Sequence, residues 1–349
     1  MPEPRALLDA AVADGVMSAA VLRVEDLVRG EPLLSHVVGR TSAEPPGAAA
    51  RADSRFDLAS LTKLITATAA LRLVSRGQLD LDADVAALRQ EADGLHAGMT
   101  PRHLLEHSSG LPAWAPLWES GAVRDVALAT PREAEPGARH RYSDIGFLVL
   151  ADVLERVAAR PLQELLHDEV LGPFGLERTT FRDRRSTPGL LATGDVVATE
   201  VCPDRGFLVG TVSDRNTWHL GGVAPHAGLF GPAADLAAFA RAFWSSADTG
   251  LLAPGLFEAV WQPPAHPGGH VLGWDTVAPE GYTSAGRVLS PGSRGHLAFT
   301  GCSLWIDPER AIAVIHLCNR IHPTRDDVRI RTLRPALHDA VARAVDALR

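Results

Sequence analysis

Hydrophobic and polar positions change texture twice along the chain. In residues 4–14, Leu7, Leu8, Ala11 and Val12 recur at helical spacing, which predicts a short amphipathic helix. Two apolar runs follow, Ala19-Ala20-Val21-Leu22-Arg23-Val24 and Leu33-Leu34-Ser35-His36-Val37-Val38-Gly39, with the length and β-branched content of strands. Residues 42–52, rich in alanine, proline and glycine, read as a surface loop. From residue 60 to residue 75 apolar or small side chains run nearly all round the predicted helix (Leu61, Leu64, Ile65, Ala67, Ala69, Ala70, Leu71, Leu73, Val74), so it belongs at the centre of the molecule. Arg72 and Arg76 suit its last turn and Gly77 its stop.

Residues 77–203 read as helix and loop. Thr100-Pro101 is a capping residue followed by proline at the first helical position, and the helix it opens closes at the turn Ser108-Ser109-Gly110-Leu111-Pro112. A second helix starts near Ser143 and carries Ile145, Leu148, Val149, Val153, Leu154 and Val157 at helical spacing; residues 162–171 form a third. After about residue 206 strands return. Residues 233–244 predict a helix with Leu236, Phe239, Ala240 and Phe243 on one face. Residues 270–318 are strand-like, and Asp307-Pro308-Glu309-Arg310 sits between two apolar runs as a hairpin turn. Residues 326–348 predict a closing helix. Strands at both ends around a helical middle imply an α+β fold. One antiparallel sheet flanked by helices is expected from 1–79 and 205–349, with a mostly helical region inserted at 80–204.

Composition narrows the function classes. A net charge of −8 with no lysine/arginine cluster excludes nucleic acid as the expected partner. Three cysteines (Cys202, Cys302, Cys318) without a paired short spacing fit neither a disulfide framework nor a zinc site. No run approaches the roughly 18 apolar residues of a membrane span, and the first residues lack the apolar core of a signal peptide, so no membrane partner and a cytoplasmic location are expected. No glycine-rich nucleotide loop, iron–sulfur spacing or haem motif appears, so the expected chemistry needs no cofactor and acts on a small molecule. His103 and His107, four apart, lack the glutamate of a metalloprotease pattern and read as structural. His316, His322 and Cys302 do too, while Asp214 and Asn216 are candidates for the wall of a cleft.

The candidate chemistry lies in Ser60-Leu61-Thr62-Lys63. A serine hydroxyl is a poor nucleophile until a neighbour takes its proton. On a helix Ser60 and Lys63 share a face, and the helix N-terminus adds positive potential under the hydroxyl. Acyl transfer further requires a proton relay, an oxyanion hole and a means of holding substrate. Tyr142-Ser143-Asp144 and Gly295-His296-Leu297-Ala298-Phe299-Thr300-Gly301 follow in order along the chain.

Together these three stretches resemble the boxes of the serine β-lactamase-like, penicillin-recognising family. The similarity is to the class C β-lactamases and the related carboxylesterases. Leu104 to Pro112, and Ala227-Gly228-Leu229-Phe230 leading into residues 235–239, are similar too. The resemblance spans roughly residues 15 to 345. It implies Ser60 as the acylated nucleophile, Lys63 and Tyr142 sharing proton transfer, and backbone N–H groups of Ser60 and Phe299 as the oxyanion hole. Two departures bear on mechanism. Asp144 stands where the family usually has asparagine; a carboxylate favours the charged form of Lys63 and moves the base role toward Tyr142. A phenol must then fall about three pKa units, roughly 4 kcal/mol, to act near neutrality. Lys63 would favour that fall and Asp144 oppose it. His296 replaces the lysine of the third box, and an imidazole is mostly neutral near pH 7. Both changes favour a neutral ester over an anionic lactam or peptide, although Arg294, two residues before His296, could supply the missing cation. His226 is a further candidate at the border of the site. The expected function is therefore a carboxylesterase on small esters. The alternatives are a β-lactamase or D-alanyl carboxypeptidase/aminopeptidase, or a non-catalytic relative that only binds.

Overall fold

A computed structural model describes residues 3–91, 94–182 and 194–349. Parts of the expected insertion, at 92–93 and 183–193, lie outside the described residues, as do Met1 and Pro2. Seven strands form one antiparallel sheet: β1 Ala19–Asp26, β2 Glu31–Gly39, β3 His270–Val271, β4 Trp274–Thr276, β5 Arg294–Leu297, β6 Ser303–Asp307 and β7 Ile312–Cys318. Their order is β2-β1-β7-β6-β5-β4-β3, so strands from both chain ends meet at the centre. The β1–β7 register pairs Ala20 with Cys318 and Asp26 with Ile312. The predicted hairpin around Asp307 is β6–β7; Asp307 Oδ1 accepts the N–H groups of Glu309 and Arg310, which closes the turn.

The described helices of ten residues or more are α1 Pro4–Ala13, α2 Thr62–Ser75, α3 Asp144–Ala158, α4 Ala233–Trp244 and α5 Ile330–Leu348. Both faces of the sheet are covered, and this explains why apolar residues of β1 occupy both of its faces. Ala20, Leu22 and Val24 face α1 and α5, packing with Leu8, Trp305, Val314, Leu337 and Val341. Ala19 and Val21 face the other way, into the larger core with α2, α3 and α4. Every residue of α2 from Thr62 to Leu73 is buried, so this helix is the centre of that core.

Three details depart from expectation. The strands at residues 180–181 and 198–202 were not legible as such in a region reading as helix and loop. Thr180–Phe181 pairs with Leu229–Gly231, which also pairs with Phe56–Asp57, and Ala198–Cys202 pairs with Gly206–Val209. The expected 204/205 boundary therefore falls in the turn of a hairpin. The closing helix starts at Ile330 rather than 326. Among the described residues no helix is long and apolar enough to cross a membrane.

Candidate active site

Ser60 lies one turn before α2, in the 3-10 turn Ala59–Leu61. Ala59 holds φ at +40°, left-handed backbone that costs an alanine about 1–3 kcal/mol. Asp57 holds that turn. Its Oδ1 accepts the Ala59 N–H at 2.9 Å and its Oδ2 the Ser213 N–H at 2.8 Å. Burial pushes the Asp57 carboxyl up to about 7. The Asp57 carbonyl also accepts from Thr300 Oγ1 at 2.8 Å, tying the nucleophile's turn to the end of β5. Sequence reasoning missed Asp57. Its one signal was an acid standing alone between Phe56 and Leu58-Ala59.

The second stretch is set by the cap of α3. Ser143 Oγ accepts the Gly146 N–H at 2.9 Å and donates to Pro112 O at 2.6 Å. The Ser143 N–H donates to His107 Nδ1 at 3.0 Å. Held this way, Tyr142 and Asp144 point at Lys63. The lysine side chain is fully buried; its Nζ donates to Asp144 Oδ1 at 2.7 Å, to Ser60 Oγ at 3.2 Å and to the His226 carbonyl at 3.5 Å. It lies 4.7 Å from the centre of the Tyr142 ring, and the phenol interacts with the side chains of both Lys63 and Ser60.

The electrostatics of this cluster run against a resting phenolate. Burial disfavours the Lys63 ammonium, but Asp144, and after it Tyr142, outweigh that and hold its pKa above the ordinary value. Burial pushes the Tyr142 phenol up, and Asp144 adds to the rise, against the pull of Lys63. Lys63 therefore rests as an ammonium paired with a carboxylate, and Tyr142 as a neutral phenol. The fall of Tyr142 that the sequence argument required does not occur in the resting state, because burial disfavours the phenolate and Asp144 adds to that against the pull of Lys63.

The third stretch departs further. His296 Nδ1 lies 2.8 Å from the Leu297 carbonyl, so Nδ1 carries the hydrogen and Nε2 is a bare, buried acceptor with no partner. Burial, reinforced by the Lys63 charge, lowers its pKa to about 3. The imidazole is neutral throughout the working range. Arg294 does not supply the missing cation. Its guanidinium is spent on main-chain carbonyls of Val260, Gln262, Gly292 and Ser293, and it does not line the cleft. Beyond His296 the strand end brings Phe299 to the cleft that Ser60 lines. Arg320 Nε donates to the Phe299 carbonyl at 2.7 Å. Gly301, at φ +109°, passes so close to Cys318 and Arg320 that a Cβ would meet Sγ at 2.4 Å.

His226 lines the cleft, with Nε2 3.1 Å from Asp214 Oδ1. Asp214 lines the cleft; Asn216 instead braces the neighbouring loop, donating to Ala115 O and accepting the Trp118 N–H. His107, His270 and His296 bring ring nitrogens within 4.8 Å of one another. They do not make a metal centre, because His107 Nδ1 is occupied by the Ser143 N–H, which leaves the hydrogen on Nε2 where a metal needs a lone pair. In a second such group, Asp144 is paired with the Lys63 ammonium, and Asp214 with His226 Nε2. His103 caps its own helix, with Nδ1 3.1 Å from Thr100 Oγ1.

The cleft encloses about 1230 Å³. Five arginines, Arg215, Arg320, Arg325, Arg331 and Arg334, line it, and none of them was singled out by sequence.

The chain matches the family model described as Beta-lactamase over residues 5–338. A Salmonella enteritidis PT4 protein named "Putative D-alanyl-D-alanine carboxypeptidase" is 28% identical over 327 residues, covering 84% of this chain and 73% of that protein. The structure of EstCE1, described as a hydrolase with promiscuous acyltransferase activity, superposes with a TM-score of 0.76 at 20% identity, covering 97% of each chain. Unliganded simvastatin synthase (LovD) from Aspergillus terreus gives a TM-score of 0.75 at 19% identity, covering 99% of each. At these identities the structural likenesses speak to the fold.

Proposed function

The chain belongs to the Beta-lactamase family of serine hydrolases, and from that premise we propose that it hydrolyses carboxylic esters through an acyl-enzyme on Ser60. The observation that carries this reading is the buried Lys63 ammonium 3.2 Å from Ser60 Oγ, shared with Asp144 and Tyr142 on the wall of an open cleft. Ser60 Oγ attacks the ester carbonyl carbon, and its proton passes into the Tyr142–Lys63 pair. The N–H groups of Ser60 and Phe299 hold the oxyanion; each such donor is worth about 3 kcal/mol in the transition state. The carbon–oxygen bond to the alcohol then breaks, and the alkoxide takes the stored proton. Water attacks the acyl-enzyme by the same route in reverse and releases the acid.

With Lys63 and Tyr142 both protonated at rest, the competent enzyme is the form one proton poorer. A neutral His296 and an inward-turned Arg294 leave the wall beside Ser60 without a cation from the third stretch, which favours an uncharged ester.

A second reading has its own observation. Arg331 and Arg334 at the start of α5 line the cleft, and the buried Arg334 Nε has no partner. Such a pair suits the carboxylate of a lactam or a peptide terminus, and the Salmonella relative carries a carboxypeptidase name. The test compares burst release from a p-nitrophenyl ester with turnover of a chromogenic cephalosporin and a D-alanyl-D-alanine peptide, in the wild type and in Ser60→Ala. Ester turnover lost in Ser60→Ala supports the first reading; faster lactam or peptide turnover reverses the order. Failure of a fluorophosphonate to label Ser60, read by mass spectrometry, removes both.

A further inference from the structure

Eight large hydrophobic side chains are exposed among the described residues, and five of them, Trp114, Val201, Tyr282, Phe299 and Val328, line this one cleft at 45 to 59% exposure. They arrive from five separate segments, so no single local sequence preference put them together. Trp118 lines the same cleft. Apolar side chains gathered around a concavity mark a surface that is covered when it works.

Three of the aromatic side chains are also held in place. Trp114 and Trp118 lie with ring centres 5.4 Å apart, and Asn216 fixes their loop by hydrogen bonds to the main chain on either side of Pro116. The Phe299 ring has the Arg320 guanidinium 4.4 Å away and that of Arg325 at 5.5 Å. Rigid aromatic faces that stay open in the free protein are pre-organised platforms. The cleft volume of about 1230 Å³ also exceeds the roughly 300–1000 Å³ of ordinary small-molecule pockets, far more than an acetyl ester fills.

We propose that the substrate carries a bulky, apolar ring system which lies across this rim, against the Trp114–Trp118 pair and the side chains of Phe299 and Tyr282. The inference rests on the esterase reading for the reactive bond, and it names what is attached to that bond. Flat rings rather than long alkyl chains are the committed occupant, because four of the six side chains present aromatic faces.

Binding and turnover are read separately. In the Ser60→Ala protein, tryptophan fluorescence is titrated with 2-naphthyl acetate, phenyl acetate and decyl acetate. The expected result is binding of the naphthyl ester about tenfold tighter than either other ester, with that preference lost in Trp114→Ala and in Tyr282→Ala, each added to Ser60→Ala. Three affinities within about twofold, a preference for the decyl chain, or a naphthyl preference untouched by both rim substitutions overturns the proposal. Thermal unfolding of each variant checks that the fold persists, and two rim variants from separate segments guard against loss of one. Naphthyl preference in Ser60→Ala with no ester turnover by the wild type supports this rim and sinks the esterase reading; turnover without preference does the reverse.

Discussion

Replacing Asp144 by asparagine removes the charge that keeps Lys63 protonated while keeping the shape of the side chain. Two unit charges 2.7 Å apart attract by about 6 kcal/mol at an effective dielectric of about 20. Asp144 is 18% exposed at the cleft wall, and solvent there screens part of this, so we take half, about 3 kcal/mol. At about 1.36 kcal/mol per factor of ten, the neutral fraction of the Lys63 amine at a fixed pH rises about 100-fold. The sign follows from the surroundings: once the carboxylate is gone, burial acts against an ammonium left without the charge of Asp144. Asp144→Asn is therefore expected to acylate Ser60 up to about 100-fold faster near neutral pH, with the rising limb of its pH–rate profile moved to lower pH. Stopped-flow measurement of the p-nitrophenol burst, from about pH 6 to about pH 10, reads both effects. Urea denaturation reports the structural cost, about 3–5 kcal/mol if the ammonium is left buried alone and less if it sheds its proton. A limb that does not move in a folded Asp144→Asn protein refutes the argument, since the proton on Lys63 would then not be governed by its neighbour.

Other outcomes follow from the same cluster. In the wild type, kcat/KM should climb with pH into the alkaline range, because Lys63 and Tyr142 are both held above their ordinary pKa values and the competent form must lose one of those protons; a plateau already reached at about pH 7 would contradict this. His296→Lys introduces a cation at a position whose imidazole ring centre now lies 5.8 Å from that of Tyr142. It should pull the phenol's pKa down, shift the profile to lower pH and raise turnover of a carboxylate-bearing cephalosporin by about tenfold, and an unchanged ester-to-cephalosporin ratio would count against the neutral-wall argument. Asp57→Ala frees two buried N–H groups, those of Ala59 and Ser213, and should cost about 3 kcal/mol in urea denaturation while releasing the left-handed turn that presents Ser60. Loss of stability without loss of acylation rate would show that the turn holds itself.

Local chemistry was legible along the chain. Thr100 and Pro101 open their helix where capping rules place it, with Thr100 capping His103. Ser143 caps α3, α4 runs from Ala233 to Trp244 as its periodicity indicates, and Asp307 closes the β6–β7 turn. Each depends on a few neighbouring residues, so a sequence window contains its cause. The same holds for Ser60 and Lys63, whose spacing of three brings amine to hydroxyl. The first residues of α2 were less legible, because the helix begins after a 3-10 turn that Asp57 pins from outside any helical pattern.

What only the folded chain decided is the proton inventory of the site. Asp144 lies 81 positions from Lys63, and whether it would govern the amine or the phenol turned on a distance no spacing rule supplies. Two residues before His296 on the same strand, Arg294 turned to main-chain carbonyls of 260 and 262 instead of the cleft. His296 became a neutral acceptor because burial and one carbonyl fixed its tautomer. Sequence specifies which titratable groups are present; their charge depends on desolvation and on reciprocal distance, and both exist only once distant segments have packed together.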